Sequence, residues 1–315
     1  MKRILFIFPL EATQYYNKSL HFDWILDCAQ DYIIDMWGKG YGSTSADSLK
    51  EKTDSFKPDF IYMTIRKRYF DPVSCDTWLP DLTCIKITKI FVECDEWAND
   101  RKDKWYDQFD KIYCRQPIWK FKYSVKLNFT YFLNKKIKKP EKKYSDYESY
   151  INNIKSWKNI PLFRWSVPEK AFMFSKKHKK GIYFVGQCKG PYDFRKQMRI
   201  IFRKKGSIIF IKAKMDNYWK LLGSTSALVC PTESNYGDFV PAKIFEYAAS
   251  GAAILTNCDL ISYNMPDLDK VVIKYTDLND LEEKLKMDFT SYYGKAREVI
   301  KNHTHKIRYK ELFGE

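Results

Sequence analysis

The chain reads as an α/β protein built from two doubly wound parallel sheets in series. Its 315 residues fit two domains of about 150 residues each better than one. Apolar runs of strand length alternate with amphipathic stretches of helical period, the pattern of βαβ units, whose crossovers require parallel strands. The alternation runs through the first 115 residues, dissolves, and starts again near residue 180.

In the first series the spacing predicts strands over 3–10, 32–37, 59–65, 87–94 and 111–115. Helices are expected over 17–30, 45–56 and 96–109, with Ser45 as a natural N-cap for the second. Residues 120–160 form a Lys- and aromatic-rich insertion at the end of a first domain, 1–165. A second domain, 166–295, follows with strands at 182–185, 207–211, 227–231, 252–256 and 270–275, and helices at 191–203, 216–222 and 241–250. Residues 296–315 are expected to pack back, as a helix, toward the first domain. Two such sheets with their carboxyl ends facing a cleft would bind a ligand there.

Composition narrows the function. With 45% hydrophobic and 17% aromatic residues the chain folds rather than staying disordered. Its formal charge of +16 favours a polyanionic partner, whether nucleic acid, an anionic polymer or a membrane surface; the bland alternative is a solvated Lys-rich exterior. The eight cysteines show no C-x-x-C pair, so neither a disulfide framework nor a structural metal is expected. MKRILFIFPLE reads as a first strand, since Glu11 follows the apolar run at once. No window approaches 18 consecutive apolar residues, so the expectation is a cytoplasmic protein with at most peripheral membrane contact. His21, His178, His303 and His305 have no evident partners and are expected at the surface.

The segment PTESNYGDFVPAKIFEYAASGAAILTNCD, 231–259, carries the most chemistry. Pro241 suits the first helical position, where its missing N–H costs nothing, and Gly251 suits the C-terminal cap, giving a helix of about ten residues. Ile244, Phe245 and Ala248 share one face; Ala242, Glu246 and Ala249 share another. A lone carboxylate between two alanines leaves room for a ligand whose paired hydroxyls it could accept. The amides at the helix start suit a diphosphate. The bland reading is an ordinary amphipathic helix with Glu246 in solvent.

This segment resembles the donor-binding signature of GT-B glycosyltransferases, P-x-K-x-x-E-[YF]-x-A-x-G, present as Pro241, Lys243, Glu246, Tyr247, Ala249 and Gly251. The resemblance implies two Rossmann-like domains and a nucleotide-sugar donor, with a UDP-sugar favoured and no prosthetic group. It implies that Glu246 binds the ribose hydroxyls and that Pro241 and Lys243 belong to the same donor site. The family commonly carries an acid eight positions before that glutamate, and Asp238 stands there to face the donor sugar. Asp replaces the commoner Glu, so Glu233 is the alternative. Transfer in this family usually retains anomeric configuration without a bound metal.

A second element supports the first. In IYFVGQCKGPYDFRKQMRIIF a strand ends at Gly186, a turn carries Lys189 and Gly190, and a helix bearing Arg195 follows, an arrangement suited to phosphate. The resemblance implies that Arg195 or Lys189 neutralises the departing diphosphate. More broadly the chain is similar to bacterial and phage glycosyltransferases of the CgeB-like group, through WGKGYG after the second strand and ECDEW at the end of the fourth. Glu93, Asp95 and Glu96 there could bind or deprotonate an acceptor hydroxyl. Alternatively they cap a helix and complement its dipole, with Asp95 the natural cap.

The acceptor is read from the insertion. From Lys120 to Lys143 it holds nine lysines and one acid, interleaved with Phe121, Tyr123, Phe129, Tyr131 and Phe132. That mixture neutralises phosphates and stacks bases. Lys135, Lys136, Lys138 and Lys139 are the candidate contacts. A hydroxymethylated base in phage DNA, flipped into the cleft, is the favoured acceptor. The alternatives are a cell-surface glycan, teichoic-type polymer or protein, and a non-catalytic nucleic-acid-binding protein on the same scaffold.

Overall fold

The computed structural model describes residues 1–7, 27–38, 41–42, 45–65, 81–93, 107–114, 165–174, 179–186, 188, 193–211, 217–232, 241–258 and 265–314, with backbone alone at 64–65, 91–93, 114 and 193. The described residues fall into two compact units, the first holding 1–114 and 309–314 and the second 165–308.

The first unit is a five-stranded, wholly parallel sheet: β1 (Arg3–Ile7), β2 (Ile33–Trp37), β3 (Phe60–Ile65), β4 (Thr88–Glu93) and β5 (Lys111–Cys114), in the order β2-β1-β3-β4-β5. Ile4, Leu5, Phe6 and Ile7 of β1 are all buried, because a central parallel strand is covered on both faces and has no polar side. Alternation divides them. Ile4 and Phe6 join Tyr62 and Ile90 in one core layer; Leu5 and Ile7 join Ile61, Met63, Leu82 and Ile85 in the other. Helix α1 (Ala46–Phe56) covers the second layer through Leu49. It starts where Ser45 Oγ accepts the Ser48 amide at 3.1 Å and stops at Lys57, whose φ of 51° is left-handed.

The second unit repeats the topology. Its strands are β6 (Ile182–Val185), β7 (Ile209–Ile211), β8 (Ala227–Cys230), β9 (Ala253–Thr256) and β10 (Ile273–Lys274), all parallel, in the order β10-β9-β8-β6-β7. Counted from its own first strand, this is again a sheet whose second and third strands flank the first. The chain therefore reverses direction across the sheet between β6 and β8, and the carboxyl ends of those strands form the switch point where such folds bind ligands. Helices α2 (Asp193–Lys205), α3 (Tyr218–Gly223) and α4 (Ala242–Ala249) make the crossovers, and α5 (Pro266–Asp269), α6 (Leu278–Lys284) and α7 (Lys295–Ile300) follow.

α3 packs against a 3-10 helix, Glu169–Phe174, so closely that a Cβ on Gly223 would lie 1.7 Å from the Phe174 carbonyl oxygen. Only glycine fits there. Strand β10 is shorter than the 270–275 expected, because the Val271 amide turns back to the Leu268 carbonyl at 3.1 Å and cannot enter the ladder.

The last helix, α8 (His305–Phe313), begins among residues of the second unit and ends among those of the first. Tyr309, Leu312 and Phe313 lie in the β1-β3 core layer, and each such buried side chain contributes about 1.5–3 kcal/mol. The expected surface placement of the histidines is corrected here. His305 is 1% exposed, and its amide donates to the Val167 carbonyl at 3.0 Å. His303 sets its ring edge-on to Phe245 at 5.7 Å and accepts from the Arg308 guanidinium at Nδ1. His21 and His178 lie outside the described residues. Among the described residues no helix is long and apolar enough to cross a membrane.

Candidate functional site

The switch point of the second unit is organised by α4, and α4 is held there by Tyr247. The buried Tyr247 hydroxyl donates to the Val185 carbonyl at 3.2 Å and accepts from the Val185 amide at 3.4 Å, fastening the helix to the end of β6. Burial above all raises this phenol well above its ordinary pKa, so it remains a hydrogen-bond donor. On the helix's inner face Ile244, Phe245 and Ala248 are buried, as the apolar spacing predicts; Ala249, expected on the ligand-facing side, is buried as well. Thr256 Oγ1 donates to the Cys230 carbonyl at 2.8 Å, tying β9 to the end of β8.

Both ends of α4 differ slightly from expectation. Pro241 is the N-cap rather than the first helical residue: its ψ of 147° is extended, and the helix opens at Ala242. The Pro241 carbonyl accepts the Ile244 amide at 3.0 Å, so the amides of Ala242 and Lys243 precede the first hydrogen-bonded turn and point along the axis away from it. At the other end Ser250 is still right-handed and Gly251 takes φ +71°, the left-handed residue that ends the helix after eight residues rather than ten.

Glu246 is not solvated. It is 4% exposed, and a carboxylate at such a position must be answered by charge or hydrogen bonds. Its Oε2 accepts from the Tyr218 hydroxyl at the start of α3 and from Lys243 Nζ at 2.9 Å. Lys243 Nζ also donates to the Tyr218 oxygen at 2.6 Å and lies 4.6 Å from the centre of that ring. These three side chains form one closed cluster. The Lys243 side chain is 40% exposed, while its Nζ is held on Tyr218 and Glu246. Desolvation lowers the Lys243 pKa to about 8, and repulsion from the Arg195 cation adds to the lowering. Cys230 itself is raised to about 12 by burial, which leaves a protonated thiol with no nucleophilic character.

Arg195 approaches from the first turn of α2. Its Nη2 donates to the Pro231 carbonyl at 3.3 Å, just beyond β8, and its guanidinium stands 5.9 Å from the centre of the Phe184 ring in β6. Gly186 follows β6 directly; its amide donates to the Ile211 carbonyl at 3.1 Å, and a Cβ there would sit 3.1 Å from the Phe184 ring. The carboxyl ends of β6 and β8 thus gather Gly186, Arg195, Pro241, Lys243 and Glu246. Chemically the group offers a carboxylate for hydroxyl donors, two cations, and helix-start amides for an anion.

Tyr218 was not legible as a member of this site, since it stands 28 residues before Glu246 and no spacing rule joins them. Of the other expected site residues, Asp238, Glu233, Lys189, Asp95, Glu96, Lys135, Lys136, Lys138 and Lys139 lie outside the described residues. Glu93 closes β4 opposite Ile65 and Cys114, with its side chain outside the description. In the WGKGYG loop, Gly38 and Gly42 take φ of 146° and 120°, values that favour glycine, and the Tyr41 amide donates to the Gly38 carbonyl at 3.0 Å.

No protein-family model and no curated protein matches the chain in sequence. Solved structures do resemble it. AviGT4, a glycosyltransferase involved in avilamycin A biosynthesis, superposes with a TM-score of 0.54 at 10% identity, covering 99% of this chain and 96% of that one. A putative UDP-N-acetylglucosamine 2-epimerase from Listeria monocytogenes gives 0.53 at 8% identity over 99% and 95%. Sucrose-phosphate synthase from Thermosynechococcus elongatus gives 0.51 at 9% over 99% of both chains. The chain therefore has the α/β architecture of the GT-B proteins, with two Rossmann-like domains.

Proposed function

We propose that the protein is a glycosyltransferase of the CgeB-like, phage-type group that moves a sugar from a nucleotide-sugar donor, a UDP-sugar foremost, to an acceptor hydroxyl. The observation that carries this reading is the buried Glu246 carboxylate, held by Lys243 and Tyr218 at the opening of α4. A buried carboxylate with a hydroxyl and an ammonium already on it is a receptor for a vicinal diol. On binding, the ribose hydroxyls take the place of Tyr218 and Lys243 on Glu246. The released ammonium then turns to the diphosphate with the amides of Ala242 and Lys243.

Arg195 and Lys189 add positive charge where negative charge develops on the leaving nucleotide, the largest stabilisation such a site provides. Asp238 or Glu233 faces the donor sugar, and Glu93 or Asp95 orients the acceptor hydroxyl; holding the reacting oxygens in line supplies the rest. In this reading transfer retains configuration and uses no metal. The acceptor is a hydroxymethylated base in DNA, drawn in by Lys135, Lys136, Lys138 and Lys139, and the reaction takes place in the cytoplasm.

A second reading keeps the donor and changes the reaction. It draws support from the likeness to a putative UDP-N-acetylglucosamine 2-epimerase, in which the nucleotide sugar itself is rearranged. One experiment separates the two: incubation with labelled UDP-sugars and their relatives, with hydroxymethylated or plain DNA, followed by mass analysis of nucleosides and free sugars. Label on the modified nucleoside is the expected result. Altered sugar without transfer selects the second reading. A donor panel that is wholly unconsumed overturns both.

A further inference from the structure

Helix α2 has a second face that the donor site does not use. Phe194, Met198, Ile201 and Phe202 fill the core of the second unit. On the opposite side Lys196, Arg199, Ile200, Arg203 and Lys204, with Cys188, line an open groove of about 620 Å³. The helix carries six cations against one acid, Asp193. Cations in its last turn complement the helix dipole, which accounts for Arg203, Lys204 and Lys205, and Lys205 is further answered by Glu282 at 2.5 Å. The dipole does not account for Lys196, which sits toward the positive end, or for Arg199 at the middle of the helix. Among the described residues Arg199, Arg203 and Lys204 form no ion pair. Ile200, set between them, is 73% exposed.

We propose that this groove seats the phosphate backbone of a single-stranded nucleic acid. Cations at 196, 199 and 203 rise along the helix over about 10 Å, roughly two turns, a spacing that follows a chain bearing one charge per residue. The charges follow one line along the helix, which suits a single linear polyanion better than the two-dimensional charge of a bilayer. Ile200 gives a sugar or base face something apolar to rest on, which a polyol-phosphate chain lacks. The groove also starts at the amino end of α2, the helix that follows β6: Lys196 is in its first turn, next in sequence to Arg195, and Cys188 precedes the helix. A strand lying there is led toward the ends of β6 and β8. The proposal does not depend on the donor reading, since it concerns binding alone.

The test is fluorescence anisotropy of a labelled 20-mer of thymidylate with the full chain, repeated across salt concentrations. The variant Arg199→Glu/Arg203→Glu/Lys204→Glu is compared with Lys50→Glu/Lys86→Glu/Lys111→Glu, which changes net charge equally on exposed positions of the first unit. The groove variant should lose on the order of 30-fold in affinity at low salt and about 2 from the log–log salt slope, with the control near wild type. Lysine acetylation of the wild-type protein gives an independent measure: Lys196 and Lys204 should be shielded by the oligonucleotide. Equal losses in both variants overturn the proposal. So does unshielded Lys196 and Lys204, or tighter binding to phosphatidylserine vesicles or polyribitol phosphate than to the oligonucleotide.

Discussion

Helices α2 and α4 follow the two strands that flank the same switch point, yet they treat charge in opposite ways. α4 buries six of its eight residues and keeps one carboxylate inside, closed by Lys243 and Tyr218. α2 lays its cations along an open groove, and only Arg195 turns toward the site. A buried charge is costly and is kept with its partners in fixed positions, whereas exposed charges cost little and are worth little singly. Substitutions on the two helices should therefore differ sharply in size.

Glu246→Ala should show the largest effect. It leaves the Lys243 ammonium without its anion; breaking a fully buried pair from one side typically costs about 3–5 kcal/mol, and with the Lys243 side chain 40% exposed the loss should fall toward the lower end. Denaturant unfolding should register this loss, and donor consumption should vanish. Glu246→Gln keeps the shape and much of the stability but should also end donor use. Tyr218→Phe comes next. Its hydroxyl donates to Glu246 and accepts from Lys243; each such bond to a charged group is worth about 1.5–3 kcal/mol, and the partly exposed Lys243 can recover its own from water, so the loss should be near that of one bond. Donor affinity should hold or tighten, because the lost hydroxyl competes with ribose for the same oxygen; a clear weakening would mean that Tyr218 contacts the donor directly.

pH gives a third comparison. Burial holds the Lys243 pKa down to about 8, so its charge is nearly complete a unit below that value, half lost at it and lost above it. An anionic donor prefers the protonated form, so affinity should be level below about pH 7, fall as pH rises through 8, and decline by at most about tenfold per unit beyond it. Calorimetric titrations from pH 6.5 to 9.5 measure this, and Lys243→Met should flatten the profile. The smallest effect belongs to α2: Arg199→Ser and Arg203→Ser should each shift unfolding by no more than about 0.5 kcal/mol. Costs comparable to those on α4 would erase the contrast.

What the sequence made legible follows the same division. The apolar runs of β1, β8 and β9 and the Pro241 to Gly251 pattern mark their elements because local period and caps decide them. The burial of Glu246 was not legible, since a helix face with two alanines and one acid reads alike in solvent and in a core. Its partner Tyr218 comes from another crossover and is brought near only by the strand order β8-β6-β7. His305 was a different kind of miss. His305, Arg308, Tyr309, Leu312 and Phe313 recur at the spacing of one helical face, a buried pattern obscured because two of its members are polar. The Pro241 shift of one position is a matter of ψ, which residue type alone does not fix.

The most direct measurement of the central claim is calorimetric titration of UDP into the wild-type chain and into Glu246→Gln at pH 7. Saturable binding to the wild type, weakened at least about 30-fold by a substitution that removes only the charge, is the result that a ribose held on this carboxylate requires. Equal affinities in the two proteins would contradict it.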